Sequence, residues 1–480
     1  MKRSIRYAWF KFALITSLLM YAALVYYHVE TLMKEREVFT RCYTLDHNQM
    51  NLESPNVKNN RGSRSKQSVP EADMFIQEYT ERADIINSIY QLNKREHYHV
   101  FLSRLKERRK EGKRMAEYLN IEGNETWLLF QRDINQFYLY NPADHQLLNE
   151  LLKDLNSRPV VKAEINRQSS QLVLILTLDD GGKGVFKPMR MARDAETSDD
   201  LYYFSEMERH ISEIAAFHLD KVLGFYRAPP TIGRILNITR DIQQVGEETL
   251  TNTVYRSPVG NVCFYGKCKN FCDPAFAVCG QPDGIQGSIS AFLPSRSFHS
   301  ASANLHHPWS RSYNMKLKQG WETNEEYCET SVKGQSEFKG RRLLDFMDTS
   351  VFDFLIGNMD RHNVEFFSQF GADTFLLHYD HGRGFGKSKY DCMSCLAPVR
   401  QCCLIRLSTL AKLIKLYNGP DSLSHVLQES LKADPLAPIL WERHLDALDR
   451  RVGLIIKVIS ECITRKRKLW QEVIVDDGVI

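Results

Sequence analysis

The chain has almost no excess of charge. Its 480 residues carry 63 Lys and Arg against 59 Asp and Glu, a formal net charge of +4. A nucleic-acid partner needs a concentrated basic face, and this balance does not suggest one. Gly-x-Gly-x-x-Gly and Walker patterns are both missing, so no Gly-rich turn can be read by itself as a phosphate cradle. There are no internal repeats, and no Ala-x-Ala cleavage pattern follows the N-terminal apolar run. What remains is a chain of ordinary globular composition, long enough for a large core with two lobes.

The N-terminus is more telling. Lys2, Arg3, Arg6 and Lys11 precede a nearly uncharged run from Phe12 to Tyr27. Basic residues ahead of an apolar run place the N-terminus in the cytosol and the rest in the lumen. The run is short for a plasma membrane and suits a thinner early-secretory bilayer. A cleaved signal peptide is the competing reading. The missing cleavage pattern and the interfacial Tyr21, Tyr26 and Tyr27 favour a single-pass type II signal anchor. Eleven cysteines agree with an oxidising lumen. Zinc is the rival for the spacings Cys268-x-x-x-Cys272 and Cys392-x-x-Cys395, but a luminal setting favours bridges. The odd count leaves at least one cysteine unpaired or in an intermolecular bridge, with Cys42 near the anchor as a candidate. Sequons at Asn124 and Asn237 fit a glycosylated luminal chain.

The expected organisation is a cytosolic tail (1–11), the anchor (12–27), a polar flexible stem (28–71), and a helical N-terminal extension (72–154). An N-lobe with a cysteine-rich insert (155–294) and a C-lobe (295–480) follow. The stem is polar from about Asp46 to Glu71 and has almost no large apolar groups to bury. Phe75, Tyr79, Ile85, Ile86 and Ile89 recur at helical steps. Gln171 to Leu178 reads as a strand, Asp179-Asp180-Gly181-Gly182 as a hairpin turn, and Gly184 to Lys187 as the return strand. Met207 to Leu219 reads as a helix with Ile211, Ile214, Ala215 and Leu219 on its apolar face, and with Glu208 and Glu213 on different faces. From Leu343 onward the pattern is mostly helical.

Four residues carry chemistry in a recognisable order. Lys187 ends an apolar strand, Glu208 lies on the helix-like stretch, and Asp360 sits in a polar loop after Phe352–Ile356. Asp380 closes the apolar run Thr374–Tyr379 and precedes three glycines within six residues. Strand Lys, helix Glu, loop Asp and post-strand Asp-x-Gly is the order of parts in a kinase-like phosphoryl-transfer site. A lysine neutralises phosphate, carboxylates hold a divalent metal, and another carboxylate accepts the hydroxyl proton. Each residue also has a plainer reading: a surface lysine, a solvated helix glutamate, or an aspartate capping its own turn. Glu365, five residues after Asp360, stands where kinases carry a metal-binding Asn.

At these residues the chain resembles a known family. Met207-Glu208-Arg209-His210 through Asp220, Cys263-Phe264-Tyr265-Gly266-Lys267-Cys268, Ala291-Phe292-Leu293-Pro294 and His307-Pro308-Trp309 carry the resemblance. So do Phe352 through His362 and Gln401-Cys402-Cys403. These segments look like the secretory-pathway kinases that include the Golgi casein kinase and the glycosaminoglycan xylosylkinase. The similarity covers roughly residues 155 to 465. It implies an α+β fold of the atypical two-lobed protein-kinase type, with a small strand/helix N-lobe and a mainly helical C-lobe. It implies ATP contacts at Gln171, Lys187, Ser290, Ala291, Phe292, Leu293, Glu365 and Asp380. It implies Mn²⁺ (or Mg²⁺) at Glu208 and Asp380, and a catalytic base at Asp360. Hard carboxylate oxygens suit those ions. Bridges Cys263–Cys279, Cys268–Cys272, Cys328–Cys402 and Cys403–Cys462 are implied in the same way, while Cys392 and Cys395 have no recognised counterpart.

Phe204–His210 and Gly382–Lys387 look closer to the Golgi casein kinase branch, whose members act in the Golgi lumen on Ser-x-Glu sites of secreted proteins. The xylosylkinase branch usually has Asp where Glu208 stands. The family's pseudokinase has Gln there and cannot supply an anionic metal ligand, so Glu208 argues for activity. The resemblance leaves open release of a secreted form, a xylose acceptor, and pairing as a homodimer or with a related kinase or pseudokinase. Two positions depart from the family. Val173 stands where a Lys is usual, which removes a positive charge near the phosphates. His381 replaces an Asn, which is expected to add pH sensitivity, since His titrates in the acidic range of late secretory compartments.

Overall fold

The computed structural model describes residues 112–198, 201–294, 302–465 and 470–475. All of them fall within one compact unit, Ala72–Ile480. The anchor, the stem, Cys42 and the helical pattern of 72–111 lie outside the described residues. Among the described residues, no helix is long and apolar enough to cross a membrane.

An antiparallel five-stranded sheet forms the first half. Its strands are β1 (Val160–Ile165), β2 (Leu174–Leu178), β3 (Lys183–Pro188), β4 (Thr231–Asn237) and β5 (Gly284–Ala291), in the order β1-β2-β3-β5-β4. Buried and part-exposed positions alternate along β2, as a half-buried strand requires. Helices α1 (Thr126–Asp133) and α2 (His145–Ser157) supply Phe130, Leu148, Leu151 and Leu155 to the sheet's own core. The described part of the N-terminal extension is therefore packed into the first half rather than standing apart. The first strand of the expected hairpin begins at Leu174, not Gln171, while the turn over 179–182 stands as expected.

Helix α3 (His210–Leu223) joins the two halves. Phe217 packs into the sheet-side core, whereas Ile214, Ala215 and Leu219 pack into the second core. The helix ends at Gly224, whose φ of +81° lets its N–H reach the carbonyls of Asp220 and Lys221. It begins at His210, so Glu208 lies in the extended segment before it rather than on it.

The second half is mainly helical: α4 (Arg341–Ile356), α5 (Leu407–Asn418), α6 (Leu423–Leu431) and α7 (Glu442–Arg465). Helix α4 is buried along nearly its whole length. That burial carries Asp345, Asp348 and Asp353 into the interior, and each meets an arginine. Arg227 reaches Asp345 and Asp348 at 3.1 Å each, Arg406 reaches Asp348 at 2.9 Å, and Arg361 reaches Asp353 at 2.8 Å. Strands β6 (Ser302–His306) and β7 (Asn363–Phe367) form an antiparallel pair within this half. The apolar run before Asp380 does not form the expected strand. Thr374–Tyr379 belongs to no strand and makes isolated bonds, from Leu377 N–H to the Glu365 carbonyl and from His378 N–H to that of Arg227.

The structure joins Cys263 to Cys279, Cys268 to Cys272, Cys328 to Cys402 and Cys403 to Cys462, and adds a fifth bridge between Cys392 and Cys395. Bridges leave no thiolates for the zinc alternative. The two that span 74 and 59 residues tie the helical half together, each worth about 4 kcal/mol by loop closure. Asn124 is exposed, whereas the Asn237 side chain accepts a hydrogen bond from Arg240 N–H.

Candidate active site

Lys187 sits in β3, opposite Ser288 of β5, so its side chain leaves the sheet towards α3. Its Nζ meets three carboxylates: Glu213 at 2.6 Å, Glu208 at 2.8 Å and Asp380 at 2.9 Å. Burial alone would lower the lysine, but the three carboxylates outweigh it and hold the ammonium well above its usual value. Lys187 in turn pulls Asp380 down to about 2 against the opposing effect of burial. Burial pushes Glu208 up, with Lys187 opposing it.

Each carboxylate is placed by its backbone. Asp380 has its side chain 62% exposed to the cleft. Its φ of +59° is unusual for a non-glycine residue, and such strain is kept where the surroundings fix it. Gly382 lies against Glu208: a Cβ there would stand 2.7 Å from the Glu208 Cβ. Only glycine lets the loop after Asp380 approach so closely. Gln171 braces the other side. Its Oε1 accepts from Glu208 N–H at 3.1 Å and its Nε2 donates to the Glu206 carbonyl at 2.9 Å.

Glu208, Glu213 and Asp380 each bring a carboxylate oxygen within 4.8 Å of the others. An all-oxygen, anionic donor set fits a hard divalent cation. Beside it lies a cavity of about 280 Å³. The expected nucleotide contacts Lys187, Ser290, Ala291, Leu293, Glu365 and Asp380 all line it, and so does Val173. Gln171 and Phe292 are not among its lining residues. Gln171 is 2% exposed and acts as the brace just described. Val173 is buried in the wall and contributes no charge.

Asp360 lies in the loop after Gly357, held by its N–H bond to the Asn358 side chain at 3.0 Å. One carboxylate oxygen pairs with Arg383, and the other faces His362 Nδ1 at 3.1 Å. Tyr313 stacks on the His362 ring, 4.1 Å between centroids and 4° from parallel. Arg361 fixes the loop by a two-pronged pair with Asp353 at 2.8 and 2.9 Å and by a bond to the Tyr379 carbonyl next to Asp380. Burial opposes the charge on Arg361, but Asp353 holds it above its usual value. The loop with Asp360 and the loop with Asp380 are thus joined through one side chain.

His381 corrects an expectation. It is 2% exposed, with Nδ1 3.3 Å from Arg361. Burial and the Arg361 charge push it down to about 3, so it stays neutral at mildly acidic pH and is no sensor there. Glu213 was missed by sequence reasoning. Five residues from Glu208 on one helix, it would point elsewhere; because Glu208 precedes the helix, both meet Lys187. Arg383 was missed too, though a lone cation three residues after Asp380 was a usable signal.

The family model described as Golgi casein kinase, C-terminal, Fam20 matches residues 125–470. The Drosophila melanogaster extracellular serine/threonine protein CG31145 is 46% identical over 374 residues, 77% of this chain and 70% of that one. The human extracellular serine/threonine protein kinase FAM20C is 42% identical over 363 residues. That alignment takes in 74% of this chain and 61% of the human protein. A crystal structure of the Golgi casein kinase with Mn/ADP bound superposes with a TM-score of 0.74 at 37% identity, over 80% of this chain and 90% of that one.

Proposed function

This chain belongs to the Fam20 family of Golgi casein kinases, and from that premise we propose that it transfers the γ-phosphate of ATP, with Mn²⁺, to serine in Ser-x-Glu sites of secreted proteins. The observation that carries the reading is the Lys187 ammonium held by Glu208, Glu213 and Asp380 at the edge of the 280 Å³ cavity. Glu208 is an anion where the family's pseudokinase has a neutral Gln, which supports catalytic competence.

The chain's own residues divide the work. Lys187 places a fixed positive charge at the phosphates, and Glu213 fixes Lys187. Ser290, Ala291 and Leu293 wall the nucleotide pocket, and Glu365 lines it as a polar contact. Glu208 and Asp380 would hold the divalent ion, which when bound neutralises phosphate charge. Asp360 orients the acceptor hydroxyl and takes its proton. Arg361 keeps the Asp360 loop in register with the Asp380 loop. Catalysis of this kind is mainly positioning and electrostatics. The setting proposed is the Golgi lumen, with residues 12–27 as a type II anchor, a stem, an N-lobe over 155–294 and a C-lobe over 295–480. Asn124 and Asn237 are proposed carriers of N-glycans, and a related kinase or pseudokinase is a proposed partner.

A sugar acceptor is the second reading, favoured by one observation: Tyr313, 59% exposed, lies flat on His362 beside Asp360 and offers an aromatic face. The test is phosphate transfer from Mn²⁺-ATP by the purified luminal portion to a Ser-x-Glu peptide and, in parallel, to a galactosyl-xylose acceptor, with Asp380→Ala as control. Peptide phosphorylation lost in the control supports the protein kinase. Phosphate on the sugar alone promotes the glycan kinase. Transfer to neither overturns both, and makes Val173 the reason to test the chain as an activator of a related kinase.

A further inference from the structure

The Cys392–Cys395 bridge is built unlike the other four. It closes the smallest loop of the five, three residues apart in sequence, so it constrains the unfolded chain least. Its surroundings are unlike those of a bridge kept only for stability. The Arg311 guanidinium reaches Cys392 Sγ at 3.1 Å, Cys395 Sγ at 3.4 Å and the Ser394 hydroxyl at 2.9 Å. Sulfurs of Cys263, Cys268, Cys403 and Cys462 lie against backbone carbonyls; Cys395 Sγ has such a carbonyl too, that of Asn358, but with the Arg311 guanidinium added to it. The two sulfurs also differ from each other. Cys392 is 1% exposed, whereas Cys395 is only partly buried and lines a small cavity of about 30 Å³ with Arg311 and Asn358.

We propose that Cys392–Cys395 is a thiol–disulfide exchange site for an external dithiol, entered at Cys395 and opened by release of Cys392 as a thiolate on Arg311. A thiolate of the dithiol attacks Cys395 Sγ, forming a mixed disulfide. The Cys392–Cys395 bond breaks and its electron pair goes to Cys392 Sγ. The dithiol's second thiolate then attacks its own sulfur in the mixed disulfide, releases Cys395 and closes the dithiol's own disulfide. Two electrons and two protons pass from the dithiol to the protein. A guanidinium against the leaving sulfur stabilises its thiolate and so speeds the first step. Both products have partners waiting: Arg311 for Cys392, and for the Cys395 thiol the Asn358 carbonyl at 3.5 Å.

The site touches the catalytic loop. Asn358 accepts from Asp360 N–H through its side chain, and the Arg311 carbonyl lies 3.0 Å from His362 Nε2. The exchange chemistry itself does not rest on the kinase reading.

The test is graded dithiothreitol added to the full chain in native buffer, followed by alkylation and peptide mass mapping. Cys392 and Cys395 should be alkylated at a dithiol concentration at least tenfold below that needed for any other bridge. Opening only together with, or after, the other four bridges would overturn the proposal. Glutathione trapping should leave its adduct on Cys395; an adduct on Cys392 would overturn the direction of entry. Arg311→Ala should slow opening about tenfold and Ser394→Ala less. If Arg311→Ala fails to fold, Arg311→Lys takes its place, and unchanged opening in the folded variants would remove Arg311 from the site.

Discussion

One carboxylate oxygen of Glu213 holds two parts of the site at once: it accepts from Lys187 Nζ at 2.6 Å and from the backbone N–H of His381 at 3.0 Å. The strand lysine and the loop after Asp380 are therefore positioned by a single atom on α3.

Glu213→Gln should reduce phosphate transfer by about 10²-fold, the scale at which small misplacements of reacting groups are felt. The amide keeps the shape and an accepting oxygen but carries no negative charge to hold the Lys187 ammonium. Steady-state kinetics with Mn²⁺-ATP measure it, and a variant within twofold of the parent would show that Glu208 and Asp380 suffice to fix Lys187.

Asp360→Asn should lower kcat by about 10²- to 10⁴-fold, the usual worth of a general base. ATP binding should be almost unaffected, because Asp360 is not among the residues lining the cavity. Nucleotide-induced thermal stabilisation compared with turnover separates the two; loss of both together would place Asp360 in nucleotide binding instead.

Val173→Lys should restore a cation to the cavity wall. A charge-assisted contact to phosphate is worth roughly 1.5 kcal/mol, or about a tenfold lower KM for ATP. An unchanged or higher KM would mean that the buried wall cannot turn a lysine towards the phosphates.

Stability should fall as pH drops from about 6.5 to about 4. Burial pushes His210 and His444 down to about 4, and His218 and His307 down to about 3. Above about pH 6.5 these histidines are neutral in both the folded and the unfolded chain and contribute no pH dependence. Below it the unfolded chain binds protons that the folded chain refuses, so unfolding gains. Each histidine contributes up to about 1.4 kcal/mol per pH unit. Thermal unfolding at pH 7.5 and pH 5 should differ by several degrees, with the lower midpoint at pH 5; equal midpoints would contradict the buried neutral imidazoles.

Lys187, Asp360 and Asp380 could be read in the sequence because each stands at a sharp boundary between an apolar run and a polar or Gly-rich turn. Such boundaries are local, and local patterns survive folding. Glu213 could not be read, because its role depends on where α3 begins. Glu208 fits the helical periodicity, yet Gln171 holds its backbone in the extended segment before the helix. The apolar run Thr374–Tyr379 misled in the opposite direction. It is largely buried, but no strand pairs along it, and pairing is decided by distant residues such as Arg227 and Glu365. The bridge Cys392–Cys395 had the right spacing in view but no local sign that Arg311, eighty residues earlier, would meet it.

Helix α4 carries Asp345, Asp348 and Asp353 into the interior, and the arginines that answer them are dispersed along the chain: Arg227 well upstream, Arg361 just beyond, and Arg406 last. A buried carboxylate without its partner costs several kcal/mol. Arg227 is already made when Asp345 and Asp348 emerge, but the guanidinium that answers Asp353 follows only with Arg361. A nascent chain halted before Arg361 should leave α4 open to water and to proteases, with Arg406 later adding a second cation to Asp345 and Asp348.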